Sequence, residues 1–309
     1  MTVQFSSLKR WAFILPTITV ASWLAMLGTL VGSWFASGQP RYVSEEDTQT
    51  IAFISDIGAQ HLKPVFIAGA SISMTTYIPS LIVYFYYMSP ARVPLSSSSE
   101  SITRANSLPP TSIYSTPPPS SLASQHHLQQ EEKWHQSLLS QIGIPLLSIL
   151  FSLIGATSLV LLTIFDTARY TSAHQLLLPT SICSHILGCL ILCFWTVICF
   201  RQYKAQIQHT KYSGGIYSGD KFTLELYMPR IPIFRPSLVI KAVIIAIEFG
   251  LVTLFAVMTW WLKTFDQAAV IEWVVVLTFG GYMLCLIVDL WVLGSSSVPV
   301  SVVDNERGL

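Results

Sequence analysis

Five polar residues near the ends of apolar runs carry groups that can do chemistry at a membrane surface. Asp56 sits in Phe53-Ile54-Ser55-Asp56-Ile57-Gly58, Asp166 and Arg169 sit in Phe165-Asp166-Thr167-Ala168-Arg169-Tyr170 with His174 close behind, and Glu272 follows Ile271. Carboxylates beside an imidazole can act as general acid and base on an ester, or hold a metal or a lipid head group. The same set can equally be a hydrogen-bond network that seals loops over a helix bundle. The sequence has no Gly-x-Ser-x-Gly, His-Glu-x-x-His, P-loop or Gly-x-Gly-x-x-Gly, so no named motif selects catalysis. The reading therefore leans away from an enzyme and assigns no catalytic residue, no metal ligand and no cofactor.

The elements that must position these groups are set by the apolar content. Of 309 residues, 52% are apolar and 11% are charged, with a mean hydropathy of +0.56, where a soluble domain carries about 25% charge. The near balance of 17 basic and 16 acidic residues excludes a nucleic-acid binder. A bilayer core of about 30 Å asks for about 20 apolar residues per helix. Six runs meet that length, at 11–33, 65–88, 142–165, 177–200, 238–262 and 270–293. The fold class expected is all-α, a single bundle of six transmembrane helices. The first run exceeds the apolar stretch of a secretory signal and is read as a retained anchor. Pro79, well inside the second run, predicts a kink.

Orientation follows from Lys and Arg in the loops. Twelve of the 17 fall on the side of the termini and of the second and fourth loops, against four on the other side, with Lys241 inside a span. Both termini are thus expected to be cytoplasmic. Trp11, Trp34, Trp260, Trp261 and Trp291 lie near span ends, as an interfacial belt would place them. Gly28-Thr29-Leu30-Val31-Gly32 is a small-residue face that predicts close packing within the bundle.

Ionisable groups at hydrocarbon depth are costly and therefore informative. They are His185 in the fourth span, Lys241 and Glu248 in the fifth, and Glu272 and Asp289 in the sixth. Lys241 and Asp289 fall at matching depths on antiparallel neighbours, which predicts an ion pair. Glu248 lies ten residues, roughly 15 Å, from the start of its span. His185 reaches a similar depth from the other side, so a buried contact between the two is geometrically open.

The second loop, 89–137, is rich in Ser, Pro and Gln and reads as disordered; 295–309 is a short tail. The fourth loop interleaves Arg201, Lys204, Lys211, Lys221, Arg230 and Arg235 with aromatics, a patch suited to anionic inner-leaflet lipid. The five cysteines lie within apolar runs and read as packing residues, with Cys199 a candidate for palmitoylation.

Taken in order, Ile54-Ser55-Asp56-x-Gly58 before span two, Phe165 to Tyr170 with His174 after span three, Glu248 in span five, and Ala269-Val270-Ile271-Glu272-Trp273 through Tyr282 to Asp289-Leu290 in span six resemble the Frag/DRAM/Sfk family. That family also covers the N-terminal part of the fungal Cwh-type cell-wall proteins, and the chain is most similar to the fungal members. The long second loop departs from the family's usual short connection. The resemblance implies six helices with cytoplasmic termini and three kinds of role. These are lipid-kinase recruitment and lipid asymmetry at the plasma membrane, GPI-anchor lipid remodelling in the Golgi, and modulation of autophagy at the lysosome. The leading expectation is an organiser of lipid homeostasis at the plasma membrane, partnered by membrane lipids and a lipid-kinase complex. The alternatives are an intramembrane lipid-remodelling enzyme or subunit in the ER or Golgi, and an autophagy modulator or small-solute transporter at the vacuole or lysosome.

Overall fold

A computed structural model describes residues 12–89, 139–212 and 231–295. Six of its helices are long and apolar enough to cross a membrane, and the protein is an integral, multi-pass membrane protein. We number the helices α1 (Ile14–Ala36), α2 (Ile54–Gly58), α3 (Lys63–Met88), α4 (Ile144–Ile164), α5 (Thr171–Tyr212), α6 (Ile231–Ala256) and α7 (Phe265–Ser295). A π-helical turn, Leu139–Gly143, leads into α4, and another, Val257–Leu262, ends α6. No strand occurs among the described residues.

The long helices form because they are apolar on nearly every face, as membrane helices are. Packing selects an inner stripe from each. In α5 the buried residues His185, Cys189, Leu192, Thr196 and Cys199 recur at alternating steps of four and three, which aligns them on one side. In α1 the inner stripe runs Thr19, Val20, Trp23, Met26, Leu27, Leu30 and Trp34. Leu146, Leu150, Val243, Phe249 and Leu254 point outward, as lipid-facing positions do.

Each helix packs on the next in the order α1, α3, α4, α5, α6, α7, and α7 returns to α1, so the six close into a ring. The tightest seam joins α4 and α5. There Ser148 Oγ donates to the Gly188 carbonyl at 2.8 Å and Ser181 Oγ to the Gly155 carbonyl at 3.1 Å, small residues letting two backbones approach.

Several sequence expectations need correction. Trp34 is buried, with Nε1 donating to the Pro40 carbonyl at 3.3 Å and its ring edge-on to Trp273, so the indole is used inside the protein. Trp260 and Trp261 are exposed, and Trp11 lies outside the described residues. At Gly28 and Gly32 a side-chain carbon would meet nothing within 4 Å, so this face turns away from the bundle. The close approaches are at Gly58, Gly69, Gly155 and Gly188 instead. Cys199 is buried, which keeps its thiol from an acylating enzyme. Residues 201–212 are not a loop but the end of α5. Of the second loop, read as disordered over 89–137, residues 90–137 lie outside the described residues, as do the tail from 296, Lys221 and Arg230.

Candidate functional site

Segments 37–62, 165–170 and 263–264 gather at one end of the ring, which we call the cap face. After α1, Gly38 and Gln39 take positive φ (77° and 58°), turning the chain back over the ring. The next residues are fastened to the first two turns of α7. Asp266 Oδ1 accepts from the Thr50 and Ile51 amides at 2.6 and 2.9 Å, and Oδ2 from the Thr50 hydroxyl at 2.8 Å. Trp273 Nε1 donates to the Ala52 carbonyl at 3.1 Å, and Glu272 Oε2 accepts from the Ile54 amide at 2.7 Å. Asp266 and Trp273 are seven residues apart, two turns, and so share a face.

The short helix α2, all five residues buried, is the roof of the ring. Asp56 on it accepts from the Thr167 hydroxyl at 3.0 Å. In the same α4–α5 turn Asp166 Oδ2 meets Lys63 Nζ at 2.6 Å, while Oδ1 accepts from the Arg169 amide at 2.8 Å. The Arg169 guanidinium, largely exposed, stands 3.9 Å from Asp166 Oδ2. His174 is buried, its Nδ1 3.0 Å from the Phe165 carbonyl; a carbonyl only accepts, so Nδ1 carries the proton. Asp56 Oδ2 and His174 Nε2 have no hydrogen-bond partner among the described residues.

Asp56, Asp166, Arg169 and His174 are therefore brought to one corner, while Glu272 serves the other side of α2. Lys63 and Asp266 belong to the cap and were missed from the sequence. Lys63 stood at a helix start before Pro64, and Asp266 looked like an ordinary first-turn acid. Among the described residues no group of His, Cys, Asp and Glu is arranged to hold a metal ion.

Burial alone would raise the Asp166 carboxyl, but the Lys63 ammonium and the Arg169 amide outweigh it and hold the group below the usual carboxylate range. A carboxyl lowered in the folded state stabilises it above its unfolded value and loses that contribution as pH falls through the folded value. Wild type should thus melt above Asp166→Asn in detergent at neutral pH, with the gap closing only as pH drops below about 4. A gap that is already absent at neutral pH would refute the role.

Beneath the roof the ring encloses a mostly apolar cavity of about 870 Å³, counting its mouth. Ser55 and Glu272 line it at the top and His185, Glu248 and Phe279 lower down. Tyr77, His185, Glu248 and Phe279 each lie fourteen residues from the cap-side end of their helices, about 21 Å down. The His185 ring stacks on Tyr77 at 5.8 Å and meets Phe279 edge-on at 4.9 Å. His185 and Glu248 do not touch. Nε2 of the first and Oε1 of the second are buried and have no partner among the described residues.

Deeper still, Lys241 Nζ donates to Asp289 Oδ2, and the ammonium sits 4.8 Å from the centre of the Tyr84 ring. The Tyr84 hydroxyl is in turn 3.1 Å from Thr196 Oγ1. This pair joins α6 to α7 in the half of the ring far from the cap.

A ring of six spanning helices, roofed by a stitched polar cap and enclosing a largely apolar cavity, defines a polytopic membrane protein. The family described as the Frag1/DRAM/Sfk1/Cwh43P N-terminal domain matches residues 11–293. The chain belongs to that family. It is 34% identical over 87 residues to Protein SFK1 of Saccharomyces cerevisiae, a stretch covering 28% of this chain and 25% of that protein. The chain thus matches about a quarter of the length of that curated relative. No solved structure matches it.

Proposed function

We propose that the protein is a non-enzymatic organiser of lipid at the plasma membrane, which holds anionic inner-leaflet lipid, and through it a lipid-kinase complex, against the face opposite the cap. The observation that carries this reading is the length of α5. It runs on to Tyr212, twelve residues past Phe200, where its apolar run ends, roughly 18 Å. Arg201 and Lys204 are exposed there, as is Arg235 at the start of α6. By helical spacing residues 201 and 204 share one side of the projecting helix. Basic residues just outside a membrane gain about 1 kcal/mol each from an anionic leaflet. The cap supports the same reading over a lipid-remodelling enzyme, because Asp166, Asp56 and Glu272 each already hold a loop in place.

Replacing Arg201, Lys204, Lys211, Lys221, Arg230 and Arg235 together with Gln should leave the protein in the membrane and abolish co-recruitment of a phosphoinositide kinase activity. Binding to vesicles containing phosphatidylserine, reported by reconstituted protein, should lose its salt dependence. Kinase recruitment equal to wild type would remove the basis for the proposal.

A further inference from the structure

We propose that the cavity beneath α2 is a binding site for an uncharged lipid bearing a hydroxyl group, taken up from the bilayer with its hydroxyl between His185 and Glu248. Two buried polar atoms define the head position. His185 is 6% exposed and Glu248 5% exposed, both line the cavity, and His185 Nε2 and Glu248 Oε1 both lack a partner among the described residues. Because His185 Nδ1 lies 3.1 Å from the Ser181 carbonyl, it is the donor there, and the neutral ring presents Nε2 as an acceptor. The missing ligand atom must therefore donate. Leaving such groups unfilled is costly, so the arrangement rewards a ligand that fills them.

The rest of the cavity sets the remainder of the ligand. Trp23, Phe66, Val252, Phe255 and Phe279 are among the apolar side chains that line it, so the part of the ligand beyond the hydroxyl is apolar. A hydroxyl meets the acceptor without carrying a charge into apolar surroundings, which an ammonium would do at a cost. Leu178 and Ile182 of α5 and Val252 and Phe255 of α6 line the cavity, so a chain can leave towards the bilayer between these two helices while the head stays inside. This inference needs the protein to span a membrane. It does not need the basic face described above, and the two can fail separately.

The test uses the full chain purified in detergent and a photoreactive, alkyne-tagged hexadecanol, with labelled peptides identified by mass spectrometry. Labelling is expected on the α5 and α6 peptides that line the cavity. Untagged hexadecanol should displace the probe at least about tenfold better than hexadecyl methyl ether or hexadecylamine, the preference that one hydrogen bond of about 1.4 kcal/mol supplies. His185→Phe, which keeps a ring in the stack but removes the acceptor, should erase the preference for the alcohol over the ether, and Glu248→Gln, which keeps a polar group in place, should retain most of it. Equal competition by alcohol, ether and amine on the wild-type protein would overturn the proposal without reference to any variant, as would labelling confined to the outer surface. A sterol and a diacylglycerol are the two natural sources of such a hydroxyl, and the stronger competitor identifies the source. Displacement by neither also overturns the proposal.

Discussion

Lys241→Met is expected to lower folding stability by about 3–5 kcal/mol, the cost of leaving a buried charge without its partner. Asp289→Leu should cost a similar amount. The two side chains are 3% and 2% exposed, and Asp289 Oδ1 has no second partner among the described residues, so neither charge has water to fall back on. The lysine also loses the face of Tyr84. The double variant Lys241→Met with Asp289→Leu should recover most of the loss, since a well-packed apolar pair can match a buried ion pair in stability. Thermal unfolding in detergent, with steady-state level in cells as the second readout, measures the cycle. Additive single effects in the double variant would mean that the residues contribute independently and that the pair is not the source of the stability.

Gly155→Leu is expected to be the most damaging substitution in the α4–α5 seam. A side-chain carbon at this position would lie 2.0 Å from His185 Nδ1 and 2.6 Å from Cε1. The ring cannot slide aside, because Tyr77 stacks on it, Phe279 abuts its edge and the Ser181 carbonyl holds Nδ1. Even Gly155→Ala should cost about 1–3 kcal/mol, as overpacking in a filled interior does. Gly188 gives a useful contrast. A carbon there meets Ser152 Oγ at 2.6 Å, a hydroxyl that can rotate, and the Ser152 amide nitrogen and Ser148 carbonyl at 3.2 and 3.3 Å, backbone atoms that cannot, so its cost is set by the backbone. Placing Gly155→Ala in a His185→Ala background should bring its cost close to zero. An undiminished penalty in that background would show that the clash lies with the backbone and not with the histidine.

The spans and the Lys241–Asp289 pairing were legible because both depend on quantities that a sequence carries directly. Apolar run length sets where a helix crosses, and counting residues from each end sets depth on antiparallel neighbours. The roof was not legible in the same way. Helix α2 has five residues, too few for a period to declare itself, and its placement is decided by Glu272, 218 positions from Ile54, and by Thr167, 111 positions from Asp56. Trp34 and Trp260 illustrate the same limit. Both are tryptophans near a span end, yet the first is buried against Trp273 and the second is exposed, a difference that arises only from which neighbour comes near. For Gly28 and Gly32 the small-residue pattern was real, but spacing within one helix does not say which way the stripe faces. Similarly, the facing of His185 and Glu248 could be counted from depth, whereas the empty space between them depends on the bulk of side chains from the whole ring.

The stitching of residues 50–54 to α7 has a mechanical consequence. Asp266, Glu272 and Trp273 tie the upper part of α7 to the roof, and Asp289 ties its lower part to Lys241. A strut pinned at both ends resists rotation about its own axis and transmits displacement along it. The least buried of the six spanning helices is α6, and among the described residues α6 has its ionic anchor to α7 low down, far from the cap. Any breathing of the barrel wall is thus a swing of the upper part of α6 about that anchor, with α7 and the roof as the fixed frame.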